Sequence, residues 1–378
     1  MRLLHICKSY YRETEGGVER FVRTLSEGLR KQGILSIIAT TTREKDFRNV
    51  SFSGCDIYYY PRTFTLASCP FSFSFLKNFK RLTAKVDVIH VNFPWPFIDI
   101  VLFLTHIRKP IVVTYQSDIV RQRLFDILYA PFRRYMLQKS IFIVATSENM
   151  AHSSPVLKKY AHKVQIIPIG LERASYPEPS LAILAYWKEK LSKLGIKEGE
   201  SFLSIGVLRY YKGLAFLLEA AKGTSLPVLI VGSGPEEGKL KKIAREKDIR
   251  NVHFIGSVGE EDKIALIMLS KVVVSSAHLR SEAFCISLLE GLLFCKPLIS
   301  TELGTGTSFV NKNGYTGLVV PPADPLALRK AMETINKNPA LCEEFARNAY
   351  IHYTEHFTGQ AMTKAYEALY KSYKRIKN

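Results

Sequence analysis

The chain has 378 residues, 47% hydrophobic and 23% charged, a composition that excludes disorder, collagen and coiled coil. At roughly 100–200 residues per domain, that length predicts two domains. Lys and Arg total 53 against 34 Asp and Glu, a formal charge of +19, which suits a phosphate-bearing or anionic-membrane partner and carries no fold information.

The excess is uneven: residues 1–172 hold 25 basic and 13 acidic residues (+12), and the rest hold 28 and 21 (+7). Leu3–Cys7 reads as a first β-strand, since Lys8 interrupts it too soon for a secretory signal. Further apolar runs follow at Leu35–Thr40, Val86–Val91, Ile111–Thr114, Ile141–Ala145 and Val164–Ile167. Val18, Phe21, Val22, Leu25 and Leu29 recur at helical spacing between the first two. No run reaches the ~18 residues of a membrane-spanning helix; Ile98–Ile107 contains Asp99 and is followed by Arg108 and Lys109. Pro177 and Pro179, after the Pro168-Ile169-Gly170 turn, mark an interdomain crossing. The alternation then restarts, with strands at Phe202–Ile205, Val228–Val231, Val252–Ile255, Val272–Ser275, Leu298–Ser300 and Gly317–Val320. Helices are expected at Gly238–Lys247, Glu260–Leu269, Phe284–Leu293 and Leu326–Asn336, the last opened by the Asp324-Pro325 cap. Strands alternating with helices imply α/β architecture, two doubly wound Rossmann-like domains with parallel sheets. The six cysteines lack metal-site spacing and read as reduced packing residues of a cytoplasmic protein.

In such sheets ligands bind beyond the carboxyl ends of the strands, so the loops there carry the chemistry. Gly16-Gly17 opens the first helix, where free N–H groups favour anions and missing side chains allow close approach; a plain glycine turn fits equally. No Gly-x-Gly-x-x-Gly and no Gly-Lys-Ser/Thr phosphate loop is present, which removes the main support for a dehydrogenase or NTPase. Gly206–Gly213 brings Arg209 and Lys212 onto one loop, where together they can neutralise a diphosphate as a bond to it breaks. Gly232 and Gly234 form a tight turn after a strand, either structural or against a ligand. In Arg280–Gly291, Glu282 is expected at a helix mouth and Glu290 two turns inside, ~12 Å apart and about 80° around the axis. The positive helix tip would favour a diphosphate between them. Glu290 lies among Leu288, Leu289, Leu292 and Leu293, so its carboxylate needs a partner.

Taken in order, Gly16-Gly17-Val18-Glu19-Arg20, Arg209…Lys212-Gly213, Val231-Gly232-Ser233-Gly234-Pro235, Glu282-x7-Glu290 and Gly317–Pro322 resemble the retaining glycosyltransferases of family 4, with the two-domain GT-B fold facing a cleft. The resemblance runs almost end to end. Ser300–Val310 is similar to the subgroup that adds mannose or similar sugars in bacterial surface-polysaccharide (lipopolysaccharide) assembly. The resemblance implies an acceptor-side domain over 1–172, a nucleotide-sugar domain over 173–355 and a helix over 356–378 returning to the first. It further implies that Arg209 and Lys212 bind the donor diphosphate, Glu282 the transferred sugar and Glu290 the ribose. Gly16 and Gly17, Gly232 and Gly234, and the backbone at Phe284, Cys285 and Ile286 would line the donor site. No metal and no cofactor is implied, only a nucleotide-sugar co-substrate, with GDP favoured over UDP; no Asp-x-Asp pair is present. Three positions depart from the pattern: Gln116 and Asn92 stand where relatives commonly carry His, and Cys285 where Gly is usual. Gln116, near the transferred sugar, can hydrogen-bond a hydroxyl but cannot become cationic.

Phe64, Leu66, Phe71, Phe73, Phe75, Leu76 and Phe79 interleave with Lys77, Lys80, Arg81 and Lys85, a pattern that fits an anionic membrane surface or a helix with its phenylalanines packed inward. No nucleic-acid motif accompanies the charge. The expected function is transfer of a hexose, mannose from GDP-mannose, to a lipid-linked saccharide at the inner face of the cytoplasmic membrane. The alternatives are a GT-B sugar-nucleotide epimerase and a non-catalytic nucleotide-sugar or polysaccharide-binding protein.

Overall fold

A computed structural model describes every residue except Arg12, Thr14, Glu15, 120–122 and Asn378, so parts of the loop before Gly16 and the last residue of the expected terminal helix lie outside the described residues. The chain divides into two units, Met1–Gly170 with Gly359–Asn378, and Leu171–Thr358. The chain thus passes between units at Gly170–Leu171, before the proline pair expected to mark the crossing, and returns at Thr358–Gly359.

The first unit holds β1 (Arg2–Ile6), β2 (Leu35–Thr42), β3 (Arg48–Phe52), β4 (Cys55–Pro61), β5 (Phe64–Leu66), β6 (Cys69–Phe71), β7 (Val88–Phe93), β8 (Ile111–Tyr115), β9 (Ser140–Ala145) and β10 (Val164–Ile166). Eight form one sheet in the order β10-β9-β8-β7-β1-β2-β4-β3, parallel apart from the β3–β4 hairpin, while β5 and β6 pair separately. The order reverses at β1, which lies between β7 and β2. Helix Gly17–Lys31 buries Phe21, Val22, Leu25 and Leu29, the residues whose spacing predicts it. The C-terminal helix Gly359–Lys377 belongs to this unit, and a separate helix, Pro339–His356, precedes it in the second.

The second unit holds β11 (Phe202–Ile205), β12 (Val228–Val231), β13 (Val252–Gly256), β14 (Val272–Val274), β15 (Leu298–Thr301) and β16 (Gly317–Val320). All six are parallel, ordered β13-β12-β11-β14-β15-β16. The strands are apolar runs because helices pack around them: Phe202, Val228, Val272 and Ile299 share one core with Leu217, Leu218 and Met332. Asp324 accepts from the Ala327 N–H at 2.9 Å, capping helix Pro325–Lys337 as its sequence predicts. The order reverses between β11 and β14, so the loops leaving these two strands flank the crevice where open α/β sheets bind ligands. Among the described residues no helix is long and apolar enough to cross a membrane.

Candidate functional site

In the second unit the loop after β11 and the chain after β14 are tied together by backbone. Ser276 Oγ donates to the Lys212 carbonyl at 3.0 Å, and the His278 N–H to the Tyr211 carbonyl at 3.0 Å. Gly213, at φ 64°, sits where a Cβ would lie 2.0 Å from the Ser276 carbonyl oxygen, so only glycine permits this approach. On that frame Lys212 Nζ lies 2.6 Å from Glu282 Oε2, both side chains mostly buried. Burial opposes the lysine charge, but the Glu282 carboxylate outweighs it and raises the Lys212 pKa above the ordinary lysine value. Gly206 lies beside the ammonium; a Cβ there would come within 3.3 Å of Lys212 Nζ. Arg209, on the same loop, is exposed and forms no ion pair among the described residues, leaving its guanidinium open to solvent.

Glu282 does not stand at a helix mouth. The helix begins at Ile286, two residues later than expected, because Cys285 takes a left-handed conformation (φ 65°) that interrupts helical backbone. The spacing calculated for a continuous helix therefore does not hold. Glu282 instead sits in a turn fixed by its N–H bond to the Leu279 carbonyl and by Thr305 Oγ1, which donates to the Glu282 carbonyl at 2.9 Å. In the first turn of helix Ile286–Leu293 the Leu288 and Leu289 N–H groups bond the Cys285 carbonyl at 3.0 and 3.4 Å, so the end that favours an anion is formed by the Ile286 and Ser287 N–H groups ahead of them. Burial and the Glu282 charge together raise the Cys285 thiol pKa. The Phe284 ring is buried, edge-on to Phe357 at 6.2 Å, so it packs in the interior of the second unit.

Glu290 has the partner its apolar setting demands. Its Oε1 accepts from Lys263 Nζ at 2.7 Å and from the Tyr176 hydroxyl at 3.2 Å. Neither residue stands out in the sequence, although Lys263 is the lone cation of the helix Glu260–Leu269. The Gly232 and Gly234 turn has a structural cause: a Cβ at Gly232 would lie 2.1 Å from the Gly206 carbonyl oxygen, and one at Gly234 2.6 Å from the Leu208 backbone. The turn therefore braces the loop that carries Arg209 and Lys212.

In the first unit Gly16, just ahead of helix Gly17–Lys31, faces an internal carboxylate. Glu19 Oε2 accepts from the Gly16 N–H at 3.1 Å, and Glu19 Oε1 from Ser9 Oγ at 2.6 Å. A Cβ on Gly16 would lie 2.7 Å from Glu19 Oε2, so this glycine makes room for its own helix cap, and one N–H expected to be free is occupied. Beyond β8, Gln116 Nε2 donates to Asn92 Oδ1 at 3.4 Å, while Asn92 Nδ2 donates to the Ile6 carbonyl at 3.1 Å. The two positions that depart from histidine are thus bonded to each other. Asp99, marked in the sequence only as a charge within an apolar run, is fully buried, accepts a hydrogen bond from the Tyr129 hydroxyl, and is pushed by burial to a pKa of about 8.

The aromatic and basic stretch divides. Phe75 and Phe79 of helix Phe73–Thr83 are buried, so the inward-packing alternative holds for them. Phe64, Leu66 and Phe73 are 45%, 52% and 61% exposed, and Lys77, Lys80, Arg81 and Lys85 are exposed as well.

Comparison with known proteins agrees with the residues that carry the resemblance. A family profile described as Glycosyltransferase Family 4 matches residues 15–174, and one described as Glycosyl transferases group 1 matches residues 188–352. The chain is 46% identical over 358 residues to the D-rhamnosyltransferase WbpZ of Pseudomonas aeruginosa, covering 95% of this chain and 92% of that one. It is 40% identical over 370 residues to the O-antigen chain mannosyltransferase C of Escherichia coli, covering 98% of each. Sucrose-phosphate synthase from Thermosynechococcus elongatus shares the fold, with a TM-score of 0.81 at 19% identity over 99% of both chains. With a relative this similar across nearly its whole length, the chain belongs to the family 4 glycosyltransferases of GT-B fold, and it is an enzyme of the kind that builds bacterial polysaccharide.

Proposed function

We propose that the chain transfers mannose, or its 6-deoxy form D-rhamnose, from a GDP-linked donor to a lipid-linked saccharide, with retention and without a metal ion. The carrying observation is the loop pair at the β11/β14 reversal, where the loop after β11 carries Arg209 and Lys212 and the chain after β14 carries Glu282, ion-paired to Lys212, and leads into helix Ile286–Leu293. Two cations and roughly half a positive charge from the helix supply what a metal would otherwise supply to a departing diphosphate. Glu282 accepts hydrogen bonds from the transferred sugar and Glu290 from the ribose, and Gln116, in the first unit, bonds a sugar hydroxyl. The Lys212–Glu282 pair holds both groups in place until the donor arrives, so little reorganisation accompanies bond breaking. The names of the two relatives support mannose or D-rhamnose.

The acceptor side rests on the first unit, whose exposed Phe64, Leu66 and Phe73 and exposed basic residues suit an anionic lipid surface. These exposed groups support a peripheral position on the cytoplasmic, inner face of the membrane. The test is thermal stabilisation by GDP, UDP, ADP and dTDP, followed by product analysis with the matching sugars. Stabilisation by GDP alone, and sugar transfer only when a lipid-linked saccharide is added, are expected. Stabilisation by UDP instead overturns the base, and donor conversion without acceptor makes the enzyme an epimerase.

A further inference from the structure

The C-terminal helix Gly359–Lys377 carries Tyr366 and Tyr370, four residues apart on one face and both fully buried in the first unit. The Tyr370 hydroxyl lies 2.7 Å from His90 Nδ1, and His90 Nε2 lies 2.6 Å from Thr114 Oγ1. Thr114 Oγ1 in turn lies 2.7 Å from the Tyr366 hydroxyl. These bonds form one closed set between the helix and strands β7 and β8. A neutral imidazole has a single N–H, so Tyr370 and Thr114 must play opposite parts: where one donates to the ring, the other accepts from it. The ring is kept neutral, since burial and the neighbouring His5 hold its pKa well below the ordinary histidine value. The edge of Phe21 meets both His90 and Tyr366, at 6.3 and 5.8 Å, which fixes the ring plane.

His90 and Thr114 stand directly behind the amide pair. Side chains two apart along a strand share a face, so His90 is followed on β7 by Asn92, while Gln116 lies one residue past the end of β8, two residues after Thr114. Asn92 is the register partner of Thr114, and the Gln116 N–H bonds the Phe93 carbonyl at 2.9 Å. A shift of the imidazole or the threonine therefore reaches the backbone on which Asn92 and Gln116 are mounted.

We infer that Tyr366 and Tyr370 are positioning residues for glycosyl transfer, holding the Asn92–Gln116 pair in register through His90 and Thr114. The inference rests on the reading that gives Gln116 a sugar hydroxyl. Neither tyrosine touches substrate; their hydroxyls set the geometry of groups that do.

The experiment is a double-variant cycle in the full chain, with GDP-mannose turnover as readout. Tyr370→Phe and Tyr366→Phe each remove one oxygen and keep the ring. Tyr370→Phe is expected to lower kcat about tenfold, short of the 10²-fold that a full ångström of displacement costs, with the donor KM within twofold. Tyr366→Phe should act in the same direction, giving a second reading should one variant fold poorly. Tyr370→Phe combined with Gln116→Ala should be no slower than Gln116→Ala alone, because the tyrosine has nothing left to position. Effects on kcat that multiply, or a Tyr370→Phe enzyme with unchanged kcat, overturn the positioning role while the reading of Gln116 stands. A Gln116→Ala enzyme with unchanged kcat overturns that reading, and the inference with it.

Discussion

Lys212 Nζ and Glu282 Oε2, seventy residues apart in sequence, meet at 2.6 Å beside the point where strand order reverses. The pair is mostly buried, so removing one partner leaves a charge in a poorly solvated place. Glu282→Ala should therefore cost stability, roughly 3 kcal/mol or less given the residual exposure, and Lys212→Ala a similar amount. Replacing both together should cost less than the sum of the two. Urea unfolding of the three variants measures this; additive losses would show that the ion pair contributes nothing of its own.

Arg209 is a different case. It is exposed and without an ion-pair partner among the described residues, so Arg209→Ala should leave the melting temperature unchanged within about a degree. Turnover should fall roughly 10²–10³-fold, the usual loss for one charge-stabilising donor. Steady-state kinetics at saturating donor reads the effect. Wild-type turnover would show that the diphosphate is neutralised by other groups.

Asp99 makes stability depend on pH. Burial raises its pKa to about 8 from an ordinary value near 3.8, so between those limits the folded state holds a proton that the unfolded chain has released. The sign follows: its contribution is complete below about pH 4 and is lost as pH rises toward 8, at up to about 1.4 kcal/mol per unit. Asp99→Asn stays neutral throughout. The difference in melting temperature between it and the wild type should grow in favour of the variant from pH 5 to 8, and a constant difference would contradict the assignment.

Cys285 sits at φ 65°, where a β-carbon is strained by roughly 1–2 kcal/mol. Its buried side chain offsets part of that strain by packing, so a single substitution mixes two effects. Comparing Cys285→Gly with Cys285→Ala separates them, since both lose the sulfur and only glycine relieves the backbone. The glycine variant should be the more stable by about 1 kcal/mol in denaturant unfolding. Equal stability would mean that the turn adapts.

The strands of the second unit were legible because parallel strands covered on both faces become plain apolar runs, as at Val228–Val231. The β3–β4 hairpin was not, since Arg48–Phe52 is a half-exposed edge strand with polar residues on both faces. The difference at Glu282 has a local cause: nothing in the sequence marks Cys285 as left-handed, so helical spacing reads straight through it. Glu19 is the fourth residue of a Gly-x-x-Glu capping pattern, but two glycines at a helix start match an external anion site equally well. The Asn92–Gln116 bond depends on the pairing of β7 with β8, and the Lys263 and Tyr176 contacts to Glu290 on tertiary packing. No spacing rule reaches that far along the chain.

The first unit is completed only by residues that follow the whole of the second. On the ribosome, then, Leu171–Thr358 emerges as a finished segment while the earlier one still lacks the helix that covers His90 and Thr114. The usual order, amino-terminal domain first, is reversed for the final step of maturation. A nascent chain stalled before residue 359 would expose a buried polar layer to solvent and to chaperones.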